Sequence, residues 1–219
     1  MSAWFITGTD TDVGKTLVAC ALLHAFAGSG RSCIGMKPVA AGVDGEGRNT
    51  DVEALLAAAT LKAPRELVNP YLFRSAIAPH LAAMEEGRQI RFATIHAAFG
   101  QLRGMADVVM VEGVGGFRVP LGLEGDSADL AQTLNLPVIL VVGLRLGCLN
   151  HALLTREAIR VRGLRLAGWV ANHIDPDMVR VEENVAALRE LMEAPLLAEI
   201  PWMAAADVEQ AAKVLTLPV

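Results

Sequence analysis

Cysteine is scarce in this chain: Cys20, Cys33 and Cys148 are the only three among 219 residues. No pair has a metal-ligand spacing, and each lies in or beside an apolar stretch. They read as reduced thiols of a reducing compartment, not as a zinc cluster or a disulfide framework. Basic charge is also in deficit. Acidic residues number 24 against 19 basic ones, which gives a net charge of −5 and a pI of about 5.5. This balance argues against general nucleic-acid binding but leaves room for a local basic pocket that takes a small anion. The uncharged stretch from Leu130 to Leu144 includes Gln132, Thr133, Asn135 and Pro137. It is too polar, and shorter than the about 20 apolar residues that span a bilayer. Met1-Ser2-Ala3 leads straight into an apolar run, with no basic leader and no small-residue cleavage pattern. A cytoplasmic protein without a membrane partner is therefore expected.

Hydrophobic residues make up 53% of the chain and charged residues 20%, so disorder is excluded. By size scaling the folded chain exposes roughly 9,700 Å² of the roughly 34,000 Å² open when unfolded, enough burial for a full core. No repeat or linker divides residues 1–219, and a single domain is expected. Short apolar runs alternate with helical patterns. Strands are expected at Trp4–Ile6, Cys33–Met36, Asp107–Val111, Pro137–Val142, Leu166–Ala171 and Leu196–Ile200. Helices are expected at Gly14–Ala27, Asp51–Ala59, Phe92–Leu102, Ser127–Leu134, Asn150–Val161, Met178–Met192 and from Asp207 onward. The stretch from Gly42 to Gly47 reads as a mobile loop. Strands that are apolar on both faces belong to parallel sheets covered by helices, so the fold class is α/β with a mainly parallel sheet. Ligands of such sheets bind beyond the carboxyl ends of the strands.

One such end opens Gly8-Thr9-Asp10-Thr11-Asp12-Val13-Gly14-Lys15-Thr16. It follows the first strand and begins the first helix, the context that a phosphate-binding loop requires. Backbone N–H groups at the helix start can surround phosphate oxygens, Lys15 adds positive charge, and the Thr16 hydroxyl suits Mg²⁺. Five residues, not the usual four, separate Gly8 from Gly14. Glu112 ends a buried strand and precedes Gly113-Val114-Gly115-Gly116, a place for a carboxylate that touches Mg²⁺. Asp51 reads first as a helix cap. Beside Thr16 and Glu112 it becomes a candidate third oxygen ligand. Lys37 follows the second strand at the same sheet edge as Lys15, and two lysines there can neutralise a transferring phosphoryl group. Asn172 can pair with a base edge. His173 reads as a loop histidine, and Trp202 as a packing residue or a neighbour of the base. Asn150 reads as the N-cap of its helix.

These segments together resemble the dethiobiotin synthetase family. The likeness runs from Thr7 to about Met203 and rests on the loop Thr7–Thr16, on Lys37-Pro-Val-Ala-Ala-Gly42 and on Val111-Glu-Gly-Val-Gly-Gly116. Pro137–Gly143, Gly147-Cys-Leu-Asn-His-Ala152, Gly168–Asn172 and Glu199-Ile-Pro-Trp202 complete it. The longer glycine spacing is itself the family's form. The resemblance implies a P-loop enzyme that joins 7,8-diaminononanoate and CO₂ with Mg·ATP, giving dethiobiotin, ADP and phosphate through a carbamate and a carbamic-phosphoric anhydride. It implies Lys37 and Lys15 as catalytic residues. It implies nucleotide contacts at Asp12, Val13, Gly14, Lys15, Thr16, Leu17, Asp51, Glu112, Gly113, Val114, Gly115, Asn172 and His173, and along Pro201, Trp202 and Met203. Thr16, Asp51 and Glu112 would hold Mg²⁺. Thr11, Lys37 and Ala41 would meet the diamine. Gly147, Cys148, Leu149 and Asn150 of the other subunit of a homodimer would present a helix N-terminus to its carboxylate.

Three positions depart from the family's pattern. Ala41 stands where a serine is common, Asp12 where a glutamate is familiar, and His173 where an aspartate is common. Three other readings compete. A regulatory P-loop ATPase often has a lysine five positions before the loop lysine, where this chain has Asp10. A carboxylate-directed amidotransferase would need a Cys-His ammonia domain. An inactive nucleotide-binding module sits poorly with intact Lys15, Thr16, Lys37 and Glu112.

Overall fold

The computed structural model describes residues 2–218. In chain order its elements are β1 (Ser2–Gly8), α1 (Lys15–Gly28), β2 (Cys33–Met36), β3 (Val39–Ala41), α2 (Thr50–Ala58), α3 (Arg65–Val68) and β4 (Tyr71–Phe73). There follow α4 (Pro79–Glu85), α5 (Phe92–Met105), β5 (Val108–Glu112), β6 (Pro120–Gly122), β7 (Gly125–Asp126) and α6 (Ser127–Leu134). The last are β8 (Val138–Leu144), α7 (Cys148–Val161), β9 (Leu166–His173), α8 (Val181–Leu191), β10 (Leu196–Ile200) and α9 (Val208–Val214).

Six of these strands form a parallel sheet in the order β10-β9-β8-β1-β5-β2. Successive residues of its central strands serve opposite faces. Phe5, Val109, Val111, Val138 and Leu140 pack into one apolar core with α5 and α6. Trp4, Ile6, Val108, Met110, Ile139 and Val141 pack into the other with α1 and α9. This is why the strands read as continuous apolar runs: each face of the sheet is covered. No helix among the described residues is long and apolar enough to cross a membrane.

Register sets the site. Met36 pairs with Val111, so Lys37 and Glu112 leave the sheet side by side. Ile6 pairs with Glu112 and Gly8 with Val141, which brings the start of the phosphate-binding loop between the ends of β5 and β8. Gly143 pairs with Asn172. Gly14 takes φ of +92°, and a Cβ there would lie 2.2 Å from Asn172 Nδ2, so the loop closes only around glycine.

Two helix starts differ from the sequence expectation. The cap of α2 is Asn49, whose side chain accepts the Val52 N–H, and not Asp51. Asp51 sits inside the first turn with its carboxylate free for other partners. The helix α7 begins at Cys148, with Gly147 as its cap at φ of +95° and no side-chain cap, so Asn150 lies inside the helix. The loop expected from Gly42 to Gly47 is a turn in which Asp44 Oδ1 accepts the N–H groups of Glu46 and Arg48. Helix boundaries elsewhere shift by up to a few residues, the usual latitude of fraying ends. Replacing the cap, Asn49→Ala, is expected to lower unfolding free energy by about 1 kcal/mol. Chemical denaturation reads this directly, and an unchanged midpoint would contradict the cap assignment.

Candidate active site

The helix α1 starts without a side-chain cap and with no acid in its first turn. Its orphan N–H groups and its dipole therefore face the loop unopposed, an arrangement suited to phosphate. Asp12 has φ of +58°, a conformation that aspartate tolerates better than most residues. Lys15 Nζ donates to the Asp10 carbonyl at 2.8 Å. Arg145, just past β8, pairs with Asp10 Oδ2 at 2.5 Å. The Thr11 N–H donates to Asp10 Oδ1. This N–H bond, with the Arg145 guanidinium, outweighs the opposing effect of burial and holds the Asp10 carboxyl below the usual range.

Beside the loop lies an ionic web in which Lys37 and Glu112 are buried and Asp51 and Thr16 are half-buried. Lys37 is 3% exposed, and Nζ donates to Glu112 Oε1 at 2.5 Å and to Asp51 Oδ2 at 2.8 Å. Thr16 Oγ1 donates to the same Glu112 Oε1 at 2.8 Å. The backbone of Lys37 is pinned from β4's side of the chain: its N–H donates to the Val68 carbonyl, and its carbonyl accepts from Asn69 Nδ2 at 2.6 Å. Asn69 escaped the sequence reading because nothing in its neighbourhood signals a buried amide.

The charges of the web tune one another. Burial pushes the Lys37 ammonium down, but the charges and hydrogen bonds of Glu112 and Asp51 outweigh it and leave its pKa raised. Burial pushes the Asp51 carboxyl up, and Lys37 together with the Thr16 hydroxyl more than reverses this. Lys15 has no such direct carboxylate partner. Burial, reinforced by the charge of Lys37, lowers it to about 8. Burial and the Glu112 and Asp51 charges push the Cys20 thiol up to about 12, so it is inert; all three cysteines are buried free thiols.

A cavity of about 480 Å³ opens on these groups. Thr11, Asp12, Gly14, Lys15, Thr16, Leu17, Lys37, Ala41, Asp51, Glu112, Val114 and Gly115 line it. Ala40, Thr50 and Ala206 also line it, and the sequence gave no signal for them. Val13 and Gly113 lie behind the wall: Val13 is buried, and the Gly113 N–H donates to the Ile6 carbonyl. Asn172 Nδ2 donates to the Val13 carbonyl at 2.9 Å and so braces the loop from β9. His173 Nε2 lies 3.2 Å from Glu199 Oε1. Pro201 and Trp202 are exposed past β10, and Met203 packs against the core under α9. Residues Gly147 to Asn150 lie outside the cavity within one chain.

The donor set of Thr16, Asp51 and Glu112 is hard oxygen, the chemistry magnesium takes alongside substrate phosphates. Glu112 Oε2 is buried with no hydrogen-bond partner. An orphaned carboxylate oxygen is rare in native structures and is what a bound cation would satisfy. These residues fit such an ion.

Residues 2–210 match the family described as AAA domain. An ATP-dependent dethiobiotin synthetase BioD from Aromatoleum aromaticum is 59% identical over 219 residues, covering 99% of this chain and 97% of its own. The chain belongs to the dethiobiotin synthetase family. A second synthetase of that name, from Nitrosospira multiformis, is 53% identical over 91% of this chain and 88% of its own. At the level of fold alone, the septum site-determining protein MinD of Pyrococcus horikoshii, solved with Mg-ADP, superposes with a TM-score of 0.55. It is 17% identical, over 99% of this chain and 87% of that one.

The lowered Lys15 pKa generates a pH prediction. A triphosphate binds the charged ammonium, so above pH of about 8 each binding event takes up a proton and affinity falls as pH rises. Calorimetry with a non-hydrolysable ATP analogue should show this decline, and Lys15→Met should flatten it. A flat profile in the unaltered chain would contradict the assignment.

Proposed function

We propose that this chain catalyses the ATP-dependent carboxylation and ring closure of 7,8-diaminononanoate with CO₂, giving dethiobiotin, ADP and phosphate. The observation that supports this most strongly is the Lys37–Asp51–Glu112–Thr16 web beside the phosphate-binding loop, in a chain of this family. One diamine nitrogen becomes a carbamate, the carbamate oxygen takes the γ-phosphoryl group, and the second nitrogen attacks the activated carbon and expels phosphate. No activated protein nucleophile is required. The chain's work is to hold anions together and to neutralise charge as it moves.

Each residue has a part in this reading. The loop N–H groups and Lys15 bind the β- and γ-phosphates. Lys37 bridges the carbamate oxygen and the transferring phosphoryl group, two anions that favour its charged form. Thr16, Asp51 and Glu112 would hold Mg²⁺, which would withdraw charge from the phosphate oxygens. Thr11 and Ala41 face the diamine across the cavity. Asn172, His173 and Pro201 to Met203 form the base end of the nucleotide site. Gly147 to Asn150 of a second subunit in a homodimer approach the substrate carboxylate with the uncapped start of α7. The protein works in the cytoplasm.

Phosphate release from Mg·ATP and bicarbonate, with and without the diamine, tests the proposal. Release that depends on diamine and matches the cyclic urea found by mass supports it. Diamine-independent release, or none with nucleotide bound, contradicts it. Lys37→Ala should lower turnover by about 10²-fold or more while analogue binding stays close to that of the unaltered chain. Lys15→Ala should weaken that binding as well.

A further inference from the structure

The oxygens assigned to the metal are not idle in this structure. Lys37 Nζ already bridges two of the three ligand residues, Asp51 and Glu112, and the Thr16 hydroxyl is turned onto Glu112 Oε1, the same oxygen that Lys37 takes. A divalent ion held by these residues would need the same carboxylate oxygens that the ammonium occupies. In so buried a place two cations repel strongly. The ammonium and the metal therefore compete for one position.

Room exists for the ammonium to leave. The backbone of Lys37 is fixed by Val68 and Asn69, so only its flexible four-carbon stem can move. Lys37 itself lines the cavity of about 480 Å³, together with Ala40 and Ala41. A bound triphosphate would supply an anion to receive the ammonium there.

We propose that Lys37 Nζ holds the metal's place in the nucleotide-free chain, and that a divalent cation gains Thr16, Asp51 and Glu112 only once the triphosphate has drawn Lys37 away. Metal and nucleotide then enter together, and the carboxylates never face each other without a cation between them. This rests on the assignment of those three residues as the metal's ligands.

Binding of Mn²⁺ to the full chain without nucleotide, followed by electron paramagnetic resonance of the free ion, tests it. The unaltered chain should bind Mn²⁺ at least about tenfold more weakly than Lys37→Met, where one site per chain opens because the competing charge is gone. The site should vanish in the double variant Lys37→Met with Glu112→Gln. Equal affinity in the unaltered chain and Lys37→Met would overturn the proposal. The underlying ligand assignment is checked separately with adenylyl imidodiphosphate present: if Glu112→Gln then binds Mn²⁺ as well as the unaltered chain, the assignment itself is wrong. Should Lys37→Met not fold, the Lys37 ammonium signal in ¹⁵N NMR of the unaltered chain decides. Mg²⁺ alone should leave it in place, and Mg²⁺ with the nucleotide analogue should shift it. A saturable shift with Mg²⁺ alone would overturn the proposal.

Discussion

Lys37 Nζ lies between Glu112 Oε1 and Asp51 Oδ2 with almost no access to water. A charge removed from solvent to that degree persists only with close opposite charges, because desolvation of a lone ion costs several kcal/mol. The rest of the site follows from that demand. Parallel pairing of β2 with β5 delivers Lys37 and Glu112 to adjacent strand ends, and α2 brings Asp51 from the other side. Removing Lys37 would leave the buried Glu112 carboxylate without an ionic partner, whereas loss of either carboxylate still leaves Lys37 paired with the other. The backbone of Lys37 is held in place by Val68 and Asn69, so its charge is kept at the site while its stem can move.

The two lysines of the site have different environments and so different capacities. Lys37 is locked in its charged form by two carboxylates. Lys15 is buried with only a carbonyl as a direct partner, and the nearby ammonium of Lys37 depresses it further. An incoming phosphate relieves Lys15 more than it relieves Lys37. One lysine is thus poised to gain from nucleotide binding, and the other must be given a new anion before it can move.

Much of this was legible in the sequence, for identifiable reasons. Strands apolar on both faces showed as such, and Cys33–Met36, Ser127–Leu134 and Leu196–Ile200 stand in the structure with the expected limits. Chemistry-bearing residues were readable because they follow strand ends. What escaped was local and short. The pairs β3 with β4 and β6 with β7 have two or three residues per strand, too few for any period to show. Cap identity escaped because Asn49 and Asp51 are both good caps, and only the demand of Lys37 for a carboxylate separates them. Ala206 and Asn69 reach the site through tertiary packing that no sequence spacing encodes. The Asp10–Arg145 pair, which ties the loop to the end of β8, spans 135 positions and has no local signature.

A crystal structure of this chain with Mg²⁺, a non-hydrolysable ATP analogue and the diamine tests the central claim most directly. The account predicts one metal ion held by Thr16, Asp51 and Glu112, with Lys37 Nζ moved off the carboxylates onto the γ-phosphate. A metal bound by other residues, or Lys37 still bridging Asp51 and Glu112 with the nucleotide in place, would contradict it.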